Sequence, residues 1–455
     1  MALAHLQSYI ASFLTKGNTR SLQARKNVVA LFVIRALQVL VNLFIVRYSL
    51  AYLNETSYGI WITLFSVITW FALFDVGLGH GLRNKLTAAL AVGDTKLGRS
   101  YVSTTYALLG LIFGLILLVF FALYRHIPWT TILNAEAGYR DELNTVVLIV
   151  FGCFFIRFIF ENIRIIYLAK QQPAFAGATL LFSNLLSLVG IILLSLYDSS
   201  GSLVRIGLIL SISPLLVFLV FSLVAFTFQY PELRPSFKAV DWRLTRDLTD
   251  LGFRFFLIQV AAIVLYQTNR LIIAHLFGPA EVTPYFIALQ YVSVVILVFS
   301  IFNMPVWSAA TDAFVREDYK WLRKTERFML LLLGGSVLGT LILYFIAPVL
   351  IPIWINKQTI VPQSLVLVLS LFAVAKIYST IYTTLMNGIG KIKLSTYTAL
   401  TNILLYIPVA IFLARIFGIQ GIVYGLILSN VLTGALRQVQ FNRVLDGSAR
   451  GIWNQ

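Results

Sequence analysis

The chain of 455 residues is 59% hydrophobic and only 12% charged, with a mean hydropathy of +0.87. A soluble domain carries about twice that share of charge, so a soluble globular protein is excluded, as is a disordered chain, and the single Cys153 excludes a disulfide framework or a multi-cysteine zinc site. The net charge of +17 would suggest nucleic acid in a soluble chain. In a membrane it has two other sources, basic loops that set orientation and basic side chains inside the bilayer that attract anions, and no nucleic-acid partner is expected. The four histidines, His5, His80, His126 and His275, share no metal-ligand spacing, so no metal site or cofactor is expected.

Residues 1–26 have no basic stretch ahead of Leu3–Leu14 and no small-residue cleavage site, so they read as a cytoplasmic segment on the membrane surface rather than a signal peptide. A spanning helix needs about 20 apolar residues. In chain order the sequence predicts spans over Asn27–Arg47, Tyr58–Gly79, Tyr101–Tyr124, Thr145–Leu168, Phe175–Tyr197 and Val204–Phe228. A charged stretch with Pro231 and Pro235 follows, and then spans over Leu251–His275, Pro284–Val306, Phe328–Ile351, Ser364–Met386, Tyr397–Phe417 and Ile422–Gln438. The longest external connection, about Arg125–Asn144, is too short for a catalytic domain. With the N-terminus cytoplasmic, basic residues in the loops of that side outnumber those of the far side roughly four to one, which agrees with the positive-inside rule. Arg437, near the end of the last span, is counted with the cytoplasmic set. Both termini are expected in the cytoplasm.

The chain also repeats itself. Thr87, Ala89, Asp94, Lys96 and Arg99 recur at an offset of 224 as Thr311, Ala313, Asp318, Lys320 and Arg323. Ser183-Asn184-Leu185 recurs as Thr401-Asn402-Ile403, and Gly207-Leu208-Ile209-Leu210-Ser211 recurs unchanged as Gly425-Leu426-Ile427-Leu428-Ser429, both at an offset of 218. Two six-span halves of equal orientation form a parallel repeat, the layout of a transporter with two lobes and a cleft. The expected fold is an all-α polytopic membrane protein with about twelve transmembrane helices in two pseudo-symmetric six-helix lobes around a central cavity. Its parts are an N-terminal segment (1–26), a first lobe (27–228), a linker (229–250), a second lobe (251–438) and a cytoplasmic tail (439–455).

Six basic residues fall inside spans: Arg35, Arg157, Arg164, Arg254, Arg270 and Lys376. Charge inside a bilayer is costly and marks a wet cavity or a partner. Helical rise puts Arg157 and Lys376 near the midplane, Arg35 nearer the cytoplasm, Arg164 and Arg254 near cytoplasmic ends and Arg270 near the external end. Arg35, Gln38 and Asn42 share one face of the first span, and Arg157, Glu161 and Arg164 share one face of the fourth. Gln259, Tyr266 and Arg270 align on the seventh span, and Lys376, Ser379, Thr380, Thr383 and Asn387 on the tenth. These four faces are expected to line a central cationic cavity that binds anions. A structural alternative stands beside it: Glu161 is spaced to pair with Arg157 and Arg164, and Arg164, Arg254 and Arg270 have the length to snorkel to the interface. Trp70, Phe71, Tyr378 and Tyr382 offer faces for sugars or for packing. Glu161, the one mid-span carboxylate, and Asp75, at the end of the second span, are the candidates for ion coupling, although Asp75 also suits a helix cap.

Leu50-Ala51-Tyr52-Leu53 followed by Tyr58-Gly59-Ile60-Trp61, and then Asp75-Val76-Gly77-Leu78-Gly79 with Gly81-Leu82-Arg83-Asn84-Lys85, resembles the first spans of bacterial polysaccharide transporters of the O-antigen flippase type. These belong to the multidrug/oligosaccharidyl-lipid/polysaccharide exporter superfamily. The resemblance extends over the chain in span count, repeat and loop charge. It implies a V-shaped bundle in the bacterial inner membrane and a substrate of an oligosaccharide on undecaprenyl pyrophosphate, moved from inner to outer leaflet by alternating access. It further implies antiport with an H+ or Na+ gradient, contacts with membrane lipids, and work beside polysaccharide polymerase or assembly proteins in lipopolysaccharide biosynthesis. An enzyme is not expected, since no Ser/His/Asp constellation, phosphate-binding glycine loop or metal motif is present. Two rivals share the fold. A lipid II flippase would carry two more spans, and a multidrug or cation exporter would want unpaired carboxylates at mid-membrane.

Overall fold

A computed structural model describes residues 19–75, 78–303, 306–355, 359–391 and 393–454; within these, the side chains of 19–29, 31, 32, 73, 75, 80, 250–259, 261, 262 and 308 lie outside the described set. Most of the surface segment expected over 1–26 therefore falls outside it. The described chain is helical, with no strand among the described residues.

Residues up to Tyr48, with Phe74–Ile127 and Asn144–Phe253, form one compact unit. It contains most of α1 (Thr19–Tyr52), then α3 (Leu78–Ala91), α4 (Thr95–Leu123), most of α6 (Arg140–Glu161), α7 (Ile163–Ala169), α8 (Pro173–Tyr197), α9 (Leu203–Val224) and the start of α10 (Leu244–Phe277). The second unit comprises Ser49–Leu73, Pro128–Leu143 and Arg254–Gln455. It holds α2 (Glu55–Trp70), the short α5 (Trp129–Leu133), the rest of α10, α11 (Val282–Asn303), α12 (Val306–Val315), α13 (Tyr319–Trp354), α14 (Gln363–Ile389), α15 (Lys393–Phe417) and α16 (Ile419–Leu445).

The division differs from the lobes drawn on sequence, because the second span packs with the C-terminal half. Inside this unit Gly59 lies so close to Pro279 that a Cβ there would sit 1.8 Å from the Pro279 carbonyl oxygen. The Thr283 hydroxyl donates to the Glu55 carbonyl over 2.7 Å, and the Asn134 amide donates to the Ala274 carbonyl over 2.7 Å.

Ten helices among the described residues are long and apolar enough to cross a membrane, and they match ten of the predicted spans. The remaining two are α2 and α10. α2 is 16 residues long and tightens into a 3-10 turn over Phe71–Asp75 instead of running on to Gly79. At about 1.5 and 2.0 Å rise per residue the two pieces reach roughly 34 Å, still enough for a hydrocarbon core of about 30 Å. α10 includes many of the side chains outside the described set. The predicted fourth span is divided at Asn162, whose side-chain amide donates to the Phe158 carbonyl, an acceptor the helix ladder itself would use. Outward stripes such as Leu111, Leu115 and Leu118 on α4 and Leu331, Leu338 and Phe345 on α13 remain open, as lipid-facing surfaces must in a multi-pass membrane protein.

The repeated motif turns out to be a corner. Asp94 accepts the Leu97 backbone N–H over 2.9 Å and Asp318 accepts that of Trp321 over 3.0 Å, so each caps the helix that follows. Ala89 and Ala313 accept the N–H groups of those same aspartates. Gly93 (φ 77°) and Glu317 (φ 57°) take the left-handed turn between the helices. Arg99 then donates to the Arg234 carbonyl, beyond α9, while Arg323 reaches Asn442 and Asp446 at the end of α16.

Candidate substrate-binding site

In the N-terminal unit the polar face of α1 is only partly free. The Gln38 amide is buried and donates to the Gly177 carbonyl of α8 over 2.8 Å, and Arg35 donates to the Gln38 amide oxygen over 3.2 Å. Asn42 is half-buried on the same face. On α6 and α7 the structural alternative holds for the pairing. Arg157 lies 3.0 Å from Oε2 of Glu161, and Arg164 lies 2.7 Å from its Oε1. Both carboxylate oxygens are taken, and the triad keeps one net positive charge. Arg157 also lies 5.9 Å from the Phe154 ring and 5.8 Å from the Phe218 ring.

In the C-terminal unit Lys376 and Arg270 have no carboxylate partner among the described residues. The Lys376 ammonium sits 4.0 Å from the Tyr266 ring and 5.8 Å from that of Phe372, and the Arg270 guanidinium sits 5.1 Å from the Phe286 ring. Neither makes an ion pair among the described residues. Aromatic faces attract cations through the ring quadrupole, so these contacts hold the charges without neutralising them. Arg254, Gln259 and Asp75 have side chains outside the described residues.

Tyr266, Ser379 and Thr383 come together around a cavity of about 230 Å³ between α10, α14, α15 and α16. Arg437 lines the same cavity. The sequence reading assigned it to a loop because it stands one residue inside the predicted end of the last span, but α16 continues to Leu445 and Arg437 is 9% exposed. The signal was legible: Asn430, Thr433, Arg437 and Gln440 follow helical spacing along one face. The Tyr378 and Tyr382 hydroxyls donate to Gln438 and Glu326, and the Tyr382 ring packs on Phe441. These two tyrosines serve packing.

No family model matches the chain. A Salmonella typhi protein named for O-antigen transport is 22% identical over 402 residues, covering 86% of this chain and 90% of that protein. A Yersinia pseudotuberculosis protein named for O-antigen export is 22% identical over 368 residues, covering 78% and 82%. Among solved structures, a multidrug resistance MATE family transporter of the MOP superfamily, in an inward-facing conformation, superposes with a TM-score of 0.73 at 14% identity over 92% of this chain and 98% of that one. The chain shares the fold of that transporter. The resemblance read from the sequence is thereby borne out, and these relatives are named as transporters, not enzymes.

Proposed function

We propose that the chain is a flippase that moves an undecaprenyl-pyrophosphate-linked oligosaccharide, an O-antigen or exopolysaccharide repeat unit, from the inner to the outer leaflet of the bacterial inner membrane by alternating access. The observation that carries this reading is the match to proteins named for O-antigen transport and export over most of both chains. The balance of intramembrane charge supports it. Among the described residues Lys376, Arg270 and Arg437 lack a carboxylate partner, and Glu161 is held by two arginines. Such a surface selects anions, which pyrophosphate and acidic sugars are, and repels cationic drugs. Head-group binding is assigned to Arg35, Arg157, Arg164, Arg254, Arg270 and Lys376, with an H+ or Na+ gradient as the driving force and polysaccharide assembly proteins as neighbours.

In a strain lacking the gene, a lipid-linked glycan is expected to accumulate while surface polysaccharide disappears, and the intact gene should reverse both. If no such lipid builds up and sensitivity to cationic drugs rises instead, the chain is a drug exporter on the same fold.

A further inference from the structure

Among the described residues, the cavity between α10, α14, α15 and α16 has no aspartate or glutamate in its lining, and Arg437 is the charged group there. Arg437 is nine-tenths buried. Its terminal nitrogens donate to the hydroxyls of Thr383 and Thr398, while its Nε has no partner. Two hydroxyl dipoles do not neutralise a guanidinium, and a buried cation without a counter-ion is costly. The guanidinium is therefore a fork suited to an oxyanion.

The remaining lining says what carries that anion. Thr380, Thr383 and Thr398 spend their protons on backbone carbonyls of their own helices, at Lys376, Ser379 and Ser395. A hydroxyl that donates in this way still offers lone pairs; Arg437 takes one on Thr383 and one on Thr398, and the rest remain as acceptors in the cavity lining. The Ser395 hydroxyl is buried there with no partner at all. Rows of acceptors beside a single cationic fork suit a ligand with several O–H donors and one carboxylate. At about 30 Å³ per water, the cavity of about 230 Å³ takes one sugar ring rather than an oligosaccharide.

We propose that this cavity is a subsite for one acidic sugar of the glycan, its carboxylate on Arg437 and its hydroxyls on the threonine and serine oxygens. This rests on the export reading above. A neutral sugar would leave the guanidinium uncompensated. A simple inorganic anion would leave the acceptor rows unused.

The test is direct binding to the purified full-length protein in lipid nanodiscs, read by calorimetry and thermal unfolding, with glucuronate, glucose, inorganic phosphate and chloride as probes. Glucuronate should bind saturably and raise the unfolding midpoint, and glucose should not. Arg437→Gln should weaken glucuronate more than tenfold, and Arg437→Lys should weaken it less. Should Arg437→Gln fail to fold, Ser395→Ala keeps the cation and removes one hydroxyl; it should weaken glucuronate several-fold. Phosphate or chloride binding as well as glucuronate would make the cavity a counter-ion site and overturn the proposal, as would no binding of any anion. The export reading is judged apart from this by lipid accumulation in the deletion strain, so the two failures are distinguishable.

Discussion

The Lys376 ammonium lies 4.0 Å from the centroid of the Tyr266 ring, joining a cation on α14 to an aromatic face on α10. A cation over a tyrosine face gains about 0.5–2 kcal/mol and keeps its full charge, which stays available to an anionic ligand. Lys376→Met should abolish surface polysaccharide at normal protein levels. Tyr266→Phe should retain most export, because the ring is kept and only a 3.5 Å contact to Asn430 is lost, while Tyr266→Leu should reduce it. Equal export by Lys376→Met and the unchanged protein would remove Lys376 from the site.

Glu161 separates two roles. Removing it leaves Arg157 and Arg164 facing each other without a shared anion, whereas removing Arg157 leaves a neutral Glu161–Arg164 pair. Stripping the shared partner from a buried ion cluster costs about 3–5 kcal/mol. Thermal unfolding of the purified protein should therefore show Glu161→Gln less stable than Arg157→Gln. A Glu161→Gln protein that keeps its unfolding midpoint but changes the pH dependence of export would instead make Glu161 the coupling group.

Gly59 and Gly110 form an internal control. A Cβ at Gly59 meets backbone, with the Pro279 oxygen at 1.8 Å, and overpacking of this kind costs about 1–3 kcal/mol. A Cβ at Gly110 meets nothing within 4 Å, and Gly to Ala in a helix gains about 0.5–1 kcal/mol. Gly59→Ala should lower the unfolding midpoint and Gly110→Ala should hold or raise it. The opposite order would contradict the packing of α2 on Pro279.

The repeated corner predicts matched effects. Asp94→Ala and Asp318→Ala each remove one capping bond to the third residue of the next helix, at about 0.5–2 kcal/mol. Asn in place of either aspartate should recover most of the loss, since the side-chain oxygen is retained. A cost at one corner but not at its repeat would show that the motif serves different ends in the two halves.

By itself the sequence determined whatever depends on neighbours along a single helix. Apolar length set the spans, fixed offsets exposed the repeat, and spacing of three and four residues placed Glu161 between Arg157 and Arg164 and drew the polar face holding Ser379 and Thr383. Tertiary structure decided what depends on a second helix. The Gln38 amide proved to be a tie to Gly177, Tyr378 and Tyr382 proved to be packing, and the partner of Lys376 proved to be a ring distant along the chain. Arg437 needed both kinds of information: its helical face was legible, but its burial depends on α14 and α15 closing over the end of α16. The second span joined the C-terminal unit because Gly59, which has no side chain, admits the Pro279 carbonyl. The reason is common to all these cases. Helical periodicity is local and is written in the chain, whereas burial and pairing are set by which surfaces meet, and no single helix carries that information.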